Sequence, residues 1–172
     1  MILQIGSFVL PVAAGLELQQ TYEQIGGQGI LRAVSGRGIK QRTFSKLRVR
    51  TSGSGWLPAG LEEIDEDLQH VMKCIAPRRL RANFATRQAT LPAGRRSDSG
   101  FTPFAFAELS GGRLVDCAVS LAGDVATAAA VSGAVAYHVH YYPQLTVFIL
   151  SPTTSGNAGD ASYSWELIAE EV

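Results

Sequence analysis

The strongest β signal in the chain is Ala134-Val135-Ala136-Tyr137-His138-Val139-His140-Tyr141-Tyr142-Pro143-Gln144-Leu145-Thr146-Val147-Phe148-Ile149-Leu150. Both halves are rich in β-branched and aromatic residues, which fit the pleated, half-buried surface of a sheet. Pro143 cannot donate to a strand ladder, so it marks a bend or bulge between two strands over 134–142 and 144–150. Residues 162–168 make a third candidate, joined to the second by a loop over 151–161.

The same alternation of apolar and polar residues, broken by turn residues, recurs toward the N-terminus. Residues 16–25 read as a strand that ends at Gly26-Gly27-Gln28-Gly29. Residues 30–34 resume it, Gly36-Arg37-Gly38 breaks again, and 42–50 alternate Phe44, Leu47 and Val49 with Lys46, Arg48 and Arg50. Three strands joined by glycine-rich turns predict a meander. Residues 51–60 form a loop around Trp56, a large aromatic among small residues that suits a core plug or an interface. The acidic stretch 62–67 is compatible with one short helix, and 69–76 with a further strand. Residues 101–109 and 113–121 flank Ser110-Gly111-Gly112 as a hairpin. For 125–131 a short helix capped by Asp124 and a strand stand side by side. Residues 77–100 show no period and contain Arg78, Arg79, Arg81, Arg87, Arg95 and Arg96, so they predict a long excursion, a loop or arm with a function or an external partner, docking on this chain's own second half or on another copy's. The expected fold is all-β, one domain over 1–172, a sandwich or open barrel with an Arg-rich arm-like insertion and at most one or two short helices.

Charge is distributed unevenly. Residues 1–96 carry 14 basic and 7 acidic side chains, a balance of +7, and residues 97–172 carry 1 basic and 8 acidic, a balance of −7. Nucleic-acid-binding domains usually carry net positive charge, and this chain sums to zero, so nucleic acid is an unlikely partner on composition. The N-terminus lacks the basic and apolar regions of a signal peptide, and 125–139 is too short and mixed to span a bilayer, so cytoplasmic synthesis without membrane insertion is expected. Cys74 and Cys117 each sit among apolar residues, as buried thiols do.

Motifs for catalysis or cofactors are weak. His138 and His140 share a strand face at i and i+2 and could approach one metal, with Asp116 or Asp124 as a third ligand. An ordinary polar strand face among Tyr137, Tyr141 and Tyr142 is the competing account. His70 and Cys74, if on one strand, are about 13 Å apart at ~3.3 Å per residue, too far for a nucleophile pair. The acidic cluster lacks calcium-loop spacing, and neither glycine run completes a phosphate-binding or dinucleotide fingerprint. No enzyme activity, cofactor or metal is expected. Lys46, Arg48 and Arg50 would form one row on a strand face, open to exposed strand charge, protein docking or nucleic-acid contact.

Several phrases resemble small structural proteins of the tail tip or baseplate of tailed bacteriophages. They are Thr21-Tyr22-Glu23-Gln24-Ile25-Gly26-Gly27, Gly53-Ser54-Gly55-Trp56-Leu57-Pro58-Ala59-Gly60-Leu61, Arg95-Arg96-Ser97-Asp98, Tyr141-Tyr142-Pro143-Gln144-Leu145 and Ser164-Trp165-Glu166-Leu167 with Glu170-Glu171. The resemblance implies a β-rich virion subunit, a homo-oligomeric ring around the tail channel, touching tail-tube or hub proteins, with no catalysis and no cofactor. The expected interface combines the six arginines of 77–100 with Trp56 and Trp165. The alternative is a non-enzymatic attachment module that binds other virion proteins or nucleic acid. A metal-dependent hydrolase using His138 and His140 comes third.

Overall fold

In the computed structural model, which describes residues 2–157 and 159–172, the protein is all-β. Its sheets are antiparallel and open, and none closes into a barrel. In chain order the strands are β1 (Gln4–Ile5), β2 (Phe8–Val9), β3 (Glu17–Ile25), β4 (Gln28–Arg32), β5 (Gly38–Arg42), β6 (Lys46–Gly55) and β7 (His70–Lys73). They continue as β8 (Arg78–Arg81), β9 (Gln88–Thr90), β10 (Phe104–Leu109), β11 (Leu114–Cys117), β12 (Val119–Ala122), β13 (Val125–Ala128) and β14 (Ala134–Tyr141). The chain finishes with β15 (Gln144–Asn157) and β16 (Ser162–Glu171). Single-turn 3-10 segments occur at Val12–Ala14 and Leu61–Glu63, the latter standing where the acidic stretch suggested a short helix.

Where one domain was expected, the chain forms two compact units. A framing unit comprises 2–72 and 146–172, and an inserted unit, 73–145, lies between those segments in the sequence. The cause is topological: β7 and β15 are neighbours in one sheet, so everything between them must leave that sheet and return.

The framing unit is built on a seven-stranded sheet in the order β2-β1-β7-β15-β16-β6-β3. Period-two alternation puts Val49 and Thr51 of β6, Val147 and Ile149 of β15, and Trp165, Leu167 and Ala169 of β16 in the core. Thr51 is tolerated there because its hydroxyl accepts a hydrogen bond from Gln20 Nε2 at 2.9 Å. Trp165 lies opposite Gly53, where a Cβ would sit 2.6 Å from the indole ring, so only glycine leaves room for the ring to cross β6. The indole N–H donates to the Ala14 carbonyl at 2.8 Å, which pins the Val12–Ala14 turn over the sheet.

The expected meander is replaced by one long ribbon. β3 pairs with β6 from Glu17↔Ser54 to Ile25↔Lys46, and β4 pairs with β5 from Gln28↔Arg42 to Arg32↔Gly38. Gly26 and Gly27 are therefore not a turn; the chain passes through them and keeps pairing with the same returning segment. They are glycines because that segment bulges against them: a Cβ at Gly26 would lie 2.2 Å from the Phe44 carbonyl oxygen, and one at Gly27 2.2 Å from Thr43 Oγ1. The reversal is at Gly36, which has a φ of 80° and donates its N–H to the Ala33 carbonyl at 2.8 Å. This is the geometry of a short hairpin loop with its glycine in the left-handed region.

The inserted unit is a small sandwich of a four-stranded sheet, β11-β10-β14-β8, and a three-stranded sheet, β12-β13-β9. Its core draws Ala105, Ala107, Tyr137, Val139 and Tyr141 from the first sheet and Ala89, Ala126 and Ala128 from the other. Alanines keep the two faces thin, and the two tyrosine rings fill the space between them. The chain changes sheets at Ala118, whose carbonyl accepts from Ala129 N–H at 2.8 Å, so the expected strand 113–121 is two strands in two sheets. Residues 125–128 form strand β13, not a helix.

Residues 77–100, expected as an arm, are woven into this unit. β8 pairs with β14 and β9 with β13, and Ala82, Ala89 and Leu91 are buried in its core. The missing sequence period has a plain cause: each strand is only three or four residues long, too short for alternation to show.

Candidate interaction surfaces

The β3–β6 ribbon outruns its sheet. Beyond Ile25 and Lys46 the paired strands β4 and β5 continue as a hairpin whose described side chains are all exposed, including Ile30, Leu31, Val34, Ile39 and Phe44. Val34 at the tip, with a relative exposure of 109%, touches essentially nothing. The base of the hairpin is fastened by Thr43, whose N–H and hydroxyl both donate to the Gly27 carbonyl at 2.8 and 2.9 Å, and by Gln24 Nε2 donating to Ser45 Oγ at 2.7 Å.

The register divides this arm into two faces. Leu31 pairs with Ile39 on one, while Ile30, Arg32, Lys40 and Arg42 lie on the other. With Arg37 the arm carries four cations, and no acidic residue occurs anywhere between Glu23 and Glu62. Among the described residues none of the four meets a carboxylate in an ion pair; Arg32 donates to the Gly36 carbonyl and Arg42 to Ser45. An isolated two-stranded hairpin is marginally stable in water, so five exposed apolar side chains on one are a mark of a docking element.

At the other end of the same ribbon the chemistry reverses. Trp56 N–H donates to the Ala13 carbonyl at 2.8 Å and Leu16 N–H to the Ser54 carbonyl at 3.0 Å, which gathers Val12, Leu16, Trp56 and Leu57 at the end of β6. All four are exposed, Val12 at 71% and Trp56 at 72%. Glu17, next to Leu16, is exposed, as are Glu62 and Glu63 a few residues beyond Leu57, and Glu62 accepts a 3.1 Å hydrogen bond from Thr154 Oγ1, two strands over from Gly53. Residues 2–17 and 51–72 contain no Lys or Arg. At the same end a groove of about 520 Å³, of mixed polar and apolar lining, is bounded by Glu17, Leu18, Ser54, Ser155, Trp165 and Glu166 among others.

Between these ends the outer sheet face is self-neutralised. Arg48 lies between Glu23 and Glu170 at 3.4 and 2.5 Å, and Arg50 faces Glu166 at 3.9 Å. The hydrogen bond that Arg48 donates to Glu170 is the main reason its guanidinium is held more firmly protonated than usual. The Lys46, Arg48, Arg50 row read from the sequence exists, but most of its charge is matched inside the sheet.

The residues expected to form the interface scatter. Trp56 is exposed as expected, but Trp165 is 4% exposed and belongs to the core. Arg96 is 3% exposed: its guanidinium grips the Asp98 carboxylate with two bonds, at 3.0 and 2.5 Å, donates to the Cys74 carbonyl at 3.0 Å and lies 3.2 Å from the Phe101 ring centroid. The Arg96 hydrogen bond is the main cause of the lowered Asp98 pKa. Arg95 pairs with Asp124 at 2.7 Å and donates to the Gly123 carbonyl, so Asp124 is an ion-pair partner, not a helix cap. Arg87, in the left-handed region at φ 58°, exchanges bonds with Ala128 through its Nε and its own carbonyl. Arg78 is half-buried, and only Arg79 and Arg81 stay exposed, on edge strand β8.

Arg79 and Arg81 lie in register with His140 and His138 of β14, which in turn face Phe104 and Phe106 of β10. His140 stacks on Phe104 at 4.9 Å with the planes 14° apart, and Phe106 meets both rings edge-on. Burial first, then Arg79 and His138, push the His140 pKa below its ordinary value. His138 is buried, its Nε2 is 2.8 Å from Glu108 Oε2, and its Nδ1 has no partner among the described residues. Among the described residues no three His, Cys, Asp or Glu side chains converge as a metal site. Both cysteines are free thiols, Cys74 buried and Cys117 partly so, and burial with Asp116 nearby raises the Cys117 pKa. Among the described residues no helix is long and apolar enough to cross a membrane. The arm and the Trp56 patch were missed as a pair by sequence reasoning, although the acid-free run 24–61 followed by five acids in 62–67 was a visible signal.

No protein family, no curated protein and no solved structure matches this chain.

Proposed function

We propose that the chain is a non-enzymatic structural subunit that assembles with copies of itself into a ring, of the kind that builds the tail tip or baseplate of a tailed bacteriophage, where tail-tube or hub proteins would be its neighbours in the virion. The observation that carries the assembly reading is the arm, β4 and β5 with their flanks. It exposes five apolar side chains on a hairpin without a core, and its four cations meet no carboxylate among the described residues. The phage assignment rests on the sequence resemblance, and the all-β, edge-rich fold is compatible with it.

The test is native mass spectrometry of the purified chain beside a variant in which residues 28–42 are replaced by Asn-Gly. A ring predicts a discrete multiple of the 18.3 kDa chain mass that collapses to monomer in the variant. A wild-type chain that stays monomeric at high concentration sinks the reading. Co-expression with tail-tube and hub proteins tests the phage assignment separately.

The alternative, an attachment module gripping nucleic acid, is favoured by one feature, the Arg79 and Arg81 row beside the Phe104, Phe106 and His140 rings. Basic edges beside aromatic rings suit single-stranded nucleic acid. Binding to an oligonucleotide that weakens steeply with salt would promote it, and indifference at low salt would remove it.

A further inference from the structure

We infer that the arm of one copy docks on the Val12, Leu16, Trp56 and Leu57 patch of another copy, a head-to-tail contact between the two ends of the β3–β6 ribbon. The inference rests on the assembly reading above and adds its acceptor. Three observations converge on it.

First, the two surfaces complement each other in kind. The arm presents Leu31 and Ile39 on one face and Arg32, Lys40 and Arg42 on the other, while the opposite end presents Trp56 and its apolar neighbours in segments without Lys or Arg, with the exposed carboxylates of Glu17 next to Leu16 and of Glu62 and Glu63 a few residues beyond Leu57. Apolar contact around a large aromatic supplies the binding core of an interface, and the opposed charges fix orientation and reject like-with-like pairings. Two arms facing each other would set four cations against four. Two Trp56 ends would oppose their carboxylates.

Second, the two ends cannot satisfy each other within one chain. β6 has 10 residues and so is about 33 Å long at ~3.3 Å per residue. The arm from Gly27 to its tip at Ser35 spans about 26 Å by the same rise. Folded straight back along its own ribbon it falls short of Trp56. The acceptor therefore belongs to another copy.

Third, the contact is heterologous, since different surfaces meet. Every added copy presents a fresh arm and a fresh patch, so association continues until a ring closes or a filament grows, and does not stop at a symmetric dimer. A cyclic ring of three or more copies is built on this type of interface.

The experiment uses two surface variants of the full chain, each checked for an unchanged far-UV circular dichroism spectrum. The arm variant is Leu31→Ser with Ile39→Ser. The patch variant is Trp56→Ser with Glu62→Lys and Glu63→Lys. Each alone should weaken self-association by at least about 30-fold, the scale of losing one interface anchor, and run as a monomer in native mass spectrometry. Mixed in equal amounts, they should form a 1:1 heterodimer and nothing larger, because only the patch variant's intact arm and the arm variant's intact patch can meet. A patch variant that assembles like wild type, while the arm variant does not, overturns the acceptor and leaves the assembly reading standing. Homodimers of the patch variant in the mixture would overturn it in favour of arm-to-arm pairing. A monomeric wild type defeats both.

Discussion

Residues 26–45 and 77–100 are alike as sequence, basic and punctuated by glycine, yet they fold with opposite outcomes. By its pattern 77–100 reads as an arm, and it lies inside a sandwich; 26–45 reads as part of a meander, and it is the arm. The difference lies in what their apolar residues find. Ala82, Ala89 and Leu91 are small enough, or placed well enough, to enter a core shared with β13 and β14. Ile30, Leu31 and Ile39 sit on a ribbon that has already left its sheet, where each stays more than half exposed. Their arginines follow suit. Arg87, Arg95 and Arg96 reach carbonyls or carboxylates of their own unit, whereas Arg32, Arg37, Lys40 and Arg42 meet no carboxylate among the described residues. Density of arginine is therefore no guide to exposure; the partners of the apolar neighbours are.

Deletion separates the two segments most sharply. Removing 78–91 takes out β8, β9 and three core residues, and should abolish cooperative unfolding of the inserted unit, as followed by thermal circular dichroism. Replacing 28–42 by Asn-Gly should leave the sheet signal and melting temperature almost unchanged while removing oligomers. A reversal of these outcomes would exchange the roles assigned to the two segments.

Single arginines sharpen the comparison at a smaller scale. Arg96→Ala removes one donor to the Cys74 carbonyl and the guanidinium partner of the Asp98 carboxylate, and should cost about 2–4 kcal/mol in denaturant unfolding, discounted because Asp98 keeps access to solvent. Arg42→Ala on the arm should stay within about 0.5 kcal/mol. At the arm's base, Gly26→Ala forces a methyl against the Phe44 carbonyl and should cost about 1–3 kcal/mol, seen as proteolytic sensitivity near Thr43.

The smallest effect concerns pH. His140 has a lowered pKa in the folded inserted unit, so below its ordinary value of 6.5 the unfolded chain binds a proton that the folded one resists. Stability is unaffected above that value and falls as pH drops through and below it. His140→Phe should flatten this part of the profile, as read from denaturant midpoints at a series of pH values. Asp98 acts lower: its pKa is depressed from 3.8, so the Arg96 pair contributes fully above that pH and is lost as pH falls toward the folded value.

Much of the fold was legible. The alternation in 134–150 and 162–168 locates β14, the first half of β15 and most of β16, and the Ser110-Gly111-Gly112 turn locates β10 with β11, whereas the loop expected over 151–161 is in its first seven residues the continuation of β15, paired with β16 as far as Asn157. Three things were not legible, each for a physical reason. Strands of three or four residues, as in β8 and β9, carry no period. Glycine serves close approach as well as reversal, so Gly26 and Gly27 resembled a turn while accommodating Phe44 and Thr43 across the ribbon. A tryptophan among small residues suits a core or an interface equally: Trp165 found a glycine opposite and an acceptor at Ala14, and Trp56 is left exposed at the ribbon's end. Of the residues expected at an interface, Trp56, Arg79 and Arg81 are exposed, Trp165 and Arg96 are buried, and Arg78, Arg87 and Arg95 are partly buried; 26–45 exposes four further cations.

The role proposed for the 26–45 arm is to join copies of this chain. Analytical ultracentrifugation of wild type and the 28–42 replacement, across a hundredfold range of concentration, tests the assignment most directly. The expected result is a wild-type oligomer of fixed size that dissociates on dilution and in high salt, and a replacement that sediments as monomer throughout. Identical sedimentation of the two proteins, whether as monomers or as oligomers, would contradict it.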